Sequence, residues 1–233
     1  MGGRVSIRRD TAGMVPVKIN EETKMSASVL AHQPAKVSSP QIVPSKLAHF
    51  VIRAKRFPEM LAWYRTAFHA KTSFENPVIA FLTYDEEHHR IAFLNTAHLP
   101  MADKMYTGVD HVAFTYANLS DLLLTYERLK GHDIRPFWCI NHGPTTSMYY
   151  RDPEGNELEF QVDNYDTVEE ACGYFQSDAF ASNPIGVDFD PDELLRKLRA
   201  GVPAKELLRQ GAAPVEPGTA YVFTTMPPPP GPA

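Results

Sequence analysis

A chain of 233 residues can supply one large domain or two small repeated units, each with material for a core. Its 43% hydrophobic and 22% charged residues exclude a disordered or fibrous chain, and a formal net charge of −5 argues against nucleic acid, which concentrated Lys and Arg bind. No apolar run approaches the roughly 20 residues that a membrane span needs.

Cys139 and Cys172 are the two cysteines, and neither stands in a CxxC context. A reduced, cytoplasmic protein with free thiols is the expectation. Residues 1–44 lack a sustained period and a contiguous apolar h-region, so they read as a flexible extension and not a secretory signal. Met25, within them, is an alternative start.

From residue 46 to 163 the chain repeats itself. KLAHFVIRAKRFPEMLAWYRTAF from Lys46 matches GVDHVAFTYANLSDLLLTYERLK from Gly108. In each copy a histidine opens an apolar strand and a polar turn follows. An amphipathic helix then carries a tyrosine fifteen residues after the histidine: His49 to Tyr64, His111 to Tyr126. Leu61, Tyr64 and Phe68 fall at helical spacing in the first copy, as do Leu122, Leu123, Tyr126 and Leu129 in the second. Gly131 is the expected stop of the second helix.

FLTYDEEHHRIAFL from Phe81 and MYYRDPEGNELEFQ from Met148 are strand–turn–strand patterns with an aspartate, Asp85 or Asp152, entering the turn. DPEGN is a strong turn sequence, because Pro presets φ and Gly or Asn accepts a positive φ. The fold predicted is α+β: two tandem βαβββ modules, 46–98 and 108–163, forming a curved mixed sheet within a domain of residues 45–165. A C-terminal helical or covering segment, 166–225, and a Pro-rich tail, 226–233, follow. In that segment FDPDELLRKLRAG predicts a helix with Asp190 as N-cap and Pro191 first, while Leu194, Leu195 and Leu198 form its apolar stripe. Its length and amphipathicity suggest that it covers a pocket mouth or joins subunits.

His49 and His111 occupy the same slot in the two modules, and Glu159 lies in the ELEFQ segment of a strand expected in the same curved sheet. A lone strand histidine is usually a satisfied core or surface residue, and a lone Glu159 a solvated one; the repetition changes that balance. Two imidazoles and one carboxylate on one face of a metal leave three positions open, the arrangement suited to non-haem Fe(II) and oxygen. Asp152 precedes Glu159 by seven residues, and seven beyond Asp85 is Ala92. The first module thus has a histidine but no carboxylate, and the site has three protein ligands.

AHFVI, DHVAF and YYRDPEGNELEF together resemble the vicinal oxygen chelate superfamily, and within it the type I extradiol ring-cleaving dioxygenases, over residues 46–163. The resemblance implies a His, His, Glu triad with separations close to the 62 and 48 residues between His49, His111 and Glu159. Glyoxalase-like members place a ligand in both modules, and Ala92 departs from that pattern. Common extradiol enzymes also carry an additional N-terminal module pair, so a one-domain form is expected here.

HHRIAF resembles the segment that holds the family's acid–base histidine, and the matching residue is His89. His88 is then exposed or structural, and His98, past the strand, ranks lower. Tyr149, opening YYRDPEGN, matches the substrate-binding tyrosine, and His142 in NHGPTTSMYY resembles a histidine that hydrogen-bonds near a substrate oxygen. His32, His69 and His132 fall outside the repeated slots and read as surface residues.

The function implied is Fe(II)-dependent, or Mn(II)-dependent, extradiol cleavage of a catechol by O2 to a muconic semialdehyde type product. The partners are a small-molecule catechol and O2, with self-association into a homo-oligomer and neither nucleic acid nor membrane. The alternatives are a non-oxidative metalloenzyme of the same superfamily, such as a glyoxalase, epimerase or thiol transferase, and a metal-free binding protein.

Overall fold

The computed structural model describes residues 43–101, 108–216 and 218. The chain divides into two units, Met1–Lys46 and Leu47–Ala233. Of the first, residues 43–46 are described, exposed and without regular structure. The rest of the N-terminal extension, with Met25 and His32, and the Pro-rich tail lie outside the described residues.

The first module consists of β1 (Phe50–Ala54), α1 (Phe57–Phe68), β2 (Lys71–Glu75), β3 (Ile79–Thr83) and β4 (Ile91–Asn95). The second repeats the order with β5 (His111–Thr115), α2 (Leu119–Gly131), β6 (Trp138–Asn141), β7 (Thr145–Arg151) and β8 (Glu157–Asp163). The C-terminal segment adds α3 (Val168–Tyr174), α4 (Asp178–Ser182), β9 (Val187–Asp188), α5 (Pro191–Arg199) and α6 (Ala204–Leu207). Among the described residues no helix is long and apolar enough to cross a membrane.

Hydrogen bonding resolves the strands into two sheets, ordered β1-β4-β3-β2 and β5-β8-β7-β6-β9. In each module the first and last strands pair in parallel, β1 with β4 and β5 with β8, and the other pairs are antiparallel. The α1 and α2 helices are the crossovers that such parallel pairs require. Among the described residues the modules meet by packing and not by a shared ladder. Phe68 of α1 packs edge-on against Phe114 of β5 and Phe160 of β8 at 4.6 and 5.1 Å, and Phe50 reaches Phe114 at 6.0 Å. One apolar core, with Leu61, Tyr64 and Phe93 from one module and Leu123, Tyr150 and Phe160 from the other, therefore spans both, while Trp138, Ile140 and Tyr149 form a smaller second cluster.

Local chemistry sets the helix ends. Asn118 caps α2 by accepting a hydrogen bond from the Asp121 N–H. Gly131 closes that helix, yet the left-handed residue is Asp133, at φ 60°, so the reversal comes two residues later than expected. Asp190 caps α5 as predicted, accepting from Asp192 and Glu193, and Pro191 takes the first turn where its missing N–H costs nothing. Leu194 and Leu195 then bury against the common core. Tyr126 Oη of α2 donates to Asp192 at 2.8 Å, and Arg199 pairs with Glu127. This part of the C-terminal segment thus packs on the helical side of the second module. The unexpected element is β9, which adds a strand to the outer edge of β6 through Asn141–Val187 and Ile140–Asp188 pairing.

One buried carboxylate ties the modules together. Asp152 is 4% exposed; its Oδ1 accepts from the backbone of Glu154 and Asn156, and its Oδ2 accepts from the Asn156 side chain and from Tyr64 Oη of the other module at 3.1 Å. Burial, then the Asp152 charge, holds the Tyr64 phenol well above its ordinary pKa, so it remains a donor. Removing the acceptor leaves a buried hydroxyl and several N–H groups unpaired, which costs more than removing the donor. Asp152→Ala is expected to lower unfolding free energy by about 3 kcal/mol and Tyr64→Phe by about 1 kcal/mol. Urea unfolding at unchanged m value is the check; equal effects would refute this asymmetry.

Candidate metal centre

Strand alternation sorts each module into a core face and an open face. In β5, Phe114 packs on the core, so by alternation Val112 shares its face and His111, Ala113 and Thr115 take the other. In β8, Leu158, Phe160 and Val162 enter the core, so Glu157, Glu159 and Gln161 share the open face with His111. Met148 and Tyr150 of β7 are core residues, which places Ser147 and Tyr149 beside Glu159. The register sets Glu159 opposite Ala113 on one side and Tyr149 on the other.

The outcome is a polar cluster on the second sheet. His111 Nε2 lies 3.0 Å from Glu159 Oε2, and its Nδ1 is 2.8 Å from Asp110 Oδ2. The hydrogen bond to Glu159 pushes the His111 pKa up to about 9, against the effect of burial and with help from Asp110. Burial alone would raise the Glu159 carboxyl, which is 5% exposed, but hydrogen bonds from His111 and Ser147 outweigh it and hold that carboxyl below its ordinary value. Tyr149 is raised by burial and by the Glu159 charge, so it stays a neutral phenol. Its ring stacks on Trp138 at 4.8 Å and meets His111 edge-on at 5.2 Å. Its hydroxyl sits between the Glu159 carboxylate and His142 Nε2, the latter at 3.0 Å.

The first sheet holds a separate histidine group. His89 lies just ahead of β4, its ring 4.4 Å from His49 and stacked on Phe81 at 4.7 Å. Burial, then the neighbouring His49 and His88, draws the His89 pKa down, which favours a neutral imidazole. His88 is 72% exposed in its side chain, and its Nδ1 is 2.5 Å from Nδ1 of His89, so one of these nitrogens donates and the other accepts. His98, His69 and His132 are exposed.

The register also tests the equivalence of Ala92 and Glu159. Val51, two residues after His49, pairs with Ala92; Ala113, two after His111, pairs with Glu159. Ala92 therefore occupies the Glu159 slot of the first module, and Phe81, its other neighbour, occupies the Tyr149 slot.

Of the expected ligands, the structure brings His111 and Glu159 together. His49 stands at the start of β1 with its ring on His89, and among the described residues no group of three His, Cys, Asp or Glu is assembled to hold a metal. The pair itself suits a first-row divalent ion in donor type. Bonds of about 2.1 Å at a right angle put donor atoms about 3 Å apart, which is the His111–Glu159 separation. The carboxylate of Asp110 on the far nitrogen of His111 is the usual orienting partner of a ligating imidazole.

Sequence reasoning passed over Asp110, Ser147 and the Ile185 carbonyl. Asp110 and Ser147 were findable: the one adjoins His111, and the other shares the period-2 face of Tyr149. Ile185 carries no such signal. A cavity of about 230 Å³ opens elsewhere, at the outer edge of the second sheet, walled by Arg135, Phe137, Trp138 and Asp188; neither Glu159 nor any histidine lines it.

A model of the Glyoxalase/Bleomycin resistance protein/Dioxygenase superfamily matches residues 46–160. Biphenyl-2,3-diol 1,2-dioxygenase 3 of Rhodococcus globerulus is 41% identical over 167 residues, 71% of this chain and 88% of that enzyme. Biphenyl-2,3-diol 1,2-dioxygenase 2 of the same organism is 42% identical over 163 residues, covering 70% and 86%. Similarity of that extent, over paired βαβββ modules, makes this chain a member of the glyoxalase/bleomycin resistance protein/dioxygenase superfamily.

Proposed function

We propose that the protein is an extradiol dioxygenase that opens the ring of a catechol-type diol beside its two hydroxylated carbons, giving a muconic semialdehyde type product. The observation that carries this reading is the His111–Glu159 pair with the Tyr149–His142 hydrogen bond beside it and Ala92, not a carboxylate, in the matching slot. The likeness to two biphenyl-2,3-diol 1,2-dioxygenases supports it independently.

His111 and Glu159 would hold Fe(II) or Mn(II), and His49, whose ring lies on His89, would have to turn toward that pair to serve as the third ligand. A bound Fe(II) supplies one-electron chemistry toward O2 and acidifies coordinated hydroxyls. The chain's own groups do the rest. Asp110 orients the His111 ring. With Glu159 engaged by a metal, the Tyr149 hydroxyl would be left to His142 and to a substrate oxygen, and both side chains would orient the diol. Trp138 stacked on Tyr149 limits the ring's rotation. His89, held neutral by burial and by His49, accepts a proton from the substrate hydroxyl. Phe81 and Ala92 make the first-module wall apolar, which suits the carbon face of an aromatic ring.

The test is anaerobic reconstitution of the full chain with Fe(II), then a panel of catechols and air, followed by oxygen uptake and a yellow ring-fission chromophore. Glu159→Gln is expected to abolish the chromophore and to lower iron content from about one per chain to a small fraction. Tight metal binding with no oxygen uptake across the panel would move the assignment to a non-oxidative enzyme of the superfamily.

A second expectation separates the proton handler from the ligands. His89→Gln should retain iron while kcat falls by about 10²-fold or more, the usual scale for a lost acid–base group. Loss of iron in that variant would make His89 a ligand and overturn its assignment.

A further inference from the structure

Between α4 and β9 the C-terminal segment turns back at Ile185–Gly186 and lies against the turn that follows β6. Gly186 has φ of +121°, and a Cβ there would stand 2.3 Å from the Asn141 carbonyl oxygen and 2.8 Å from His142 Cα. Only glycine allows so close an approach. Asn183 pins the turn: its Nδ2 donates to the Gly186 carbonyl at 2.6 Å, and its Oδ1 accepts from the Gly186 N–H at 3.1 Å. From the other side, β9 is paired to β6, and Trp138 Nε1 donates to Asp188 at 2.9 Å.

What this close approach delivers is one acceptor. The Ile185 carbonyl lies 2.5 Å from His142 Nδ1, while His142 Nε2 lies 3.0 Å from Tyr149 Oη. A carbonyl has no proton to give, so Nδ1 must carry it. Nε2 then becomes the nitrogen that is bare in the neutral ring and protonated in the cation. The opposite tautomer would set two lone pairs against each other at Ile185, and its Nε2–H finds an acceptor in Tyr149 only when that hydroxyl gives its own proton to Glu159.

We propose that residues 183–188 form a positioning strap: Gly186 brings the Ile185 carbonyl onto His142, fixes it as the Nδ1–H tautomer, and so presents the exchangeable nitrogen to Tyr149. The consequence for substrate rests on the dioxygenase reading; the tautomer does not. In that reaction Ile185 is a positioning residue, acting through His142 and Tyr149.

The experiment is long-range ¹H–¹⁵N NMR of the histidines in the full chain before iron is added, at pH 8, above the ordinary imidazole pKa of about 6.5. The His142 signal is identified by its loss in His142→Gln. Wild type is expected as the Nδ1–H tautomer. Gly186→Ala, which forces the strap away, and Asn183→Ala, which unpins it without adding a clash, should both move the population toward Nε2–H. Gly201→Ala is the control: φ there is +84°, but an added Cβ meets nothing within 4 Å, so the backbone is strained without touching His142. After iron loading, the two strap variants should lose kcat by at least about tenfold with iron content unchanged.

A wild-type Nε2–H tautomer overturns the proposal. So does an unchanged tautomer in folded Gly186→Ala and Asn183→Ala, or an equal shift in Gly201→Ala. Should Gly186→Ala fail to fold, Asn183→Ala decides alone. If no chain consumes oxygen yet the tautomer shifts as stated, the strap stands and the dioxygenase reading falls.

Discussion

The candidate site depends on the register of β8 between its two neighbours. Side chains alternate faces with period two, so a slip of one residue would send Glu159 into the core and Leu158 to the open face. That slip is excluded because Leu158, Phe160 and Val162 are buried in the core shared by both modules. The parallel pairing with β5 then aligns Glu159 with Ala113, one step along the same face from His111, and the antiparallel pairing with β7 sets Tyr149 across from it. The polar cluster is thus held by apolar burial on the opposite side of the same strands. At about 25 cal/mol per Å² of apolar surface, that burial is far stronger than the hydrogen bonds it positions.

Duplication built one frame twice, and the two copies have been put to different uses. Each has a parallel first–last strand pair, a crossover helix with a buried tyrosine, and an acidic turn. On the open face of the second copy the equivalent slots hold Glu159 and Tyr149; on the first they hold Ala92 and Phe81. One half therefore offers charge and hydrogen bonds, the other an apolar wall with a histidine stack at its end. The same turn serves both structure and site. Asp152 closes the β7–β8 turn and accepts from Tyr64 of the other module, so the element that presents Glu159 is also the one that links the copies.

Electrostatics and steric fit act on different residues. His111 and Glu159 shift each other's pKa in opposite directions, as a partly buried pair must when each stabilises the other's charged form. His142 is governed instead by contact. A glycine without a Cβ lets a backbone carbonyl reach one ring nitrogen, with the Tyr149 hydroxyl at the other.

Much of this was legible in the chain itself. The two βαβββ modules, both tyrosine-bearing helices, the Asp190 cap and the equivalence of Ala92 with Glu159 all follow from periodicities of 2 and 3.6 residues and from turn chemistry, which are local properties. That His111 and Glu159 come together was implied by the resemblance to the vicinal oxygen chelate superfamily, since periodicity by itself only places them on strands of one module. The tertiary structure alone decided that the strands form two sheets, that Asp110 and Ser147 serve His111 and Glu159, and that His49 turns its ring to His89. It also brought Ile185 onto His142 from 43 residues away. Such contacts depend on how separate segments pack and on which atoms a missing Cβ lets approach, and no pattern along the chain encodes that distance.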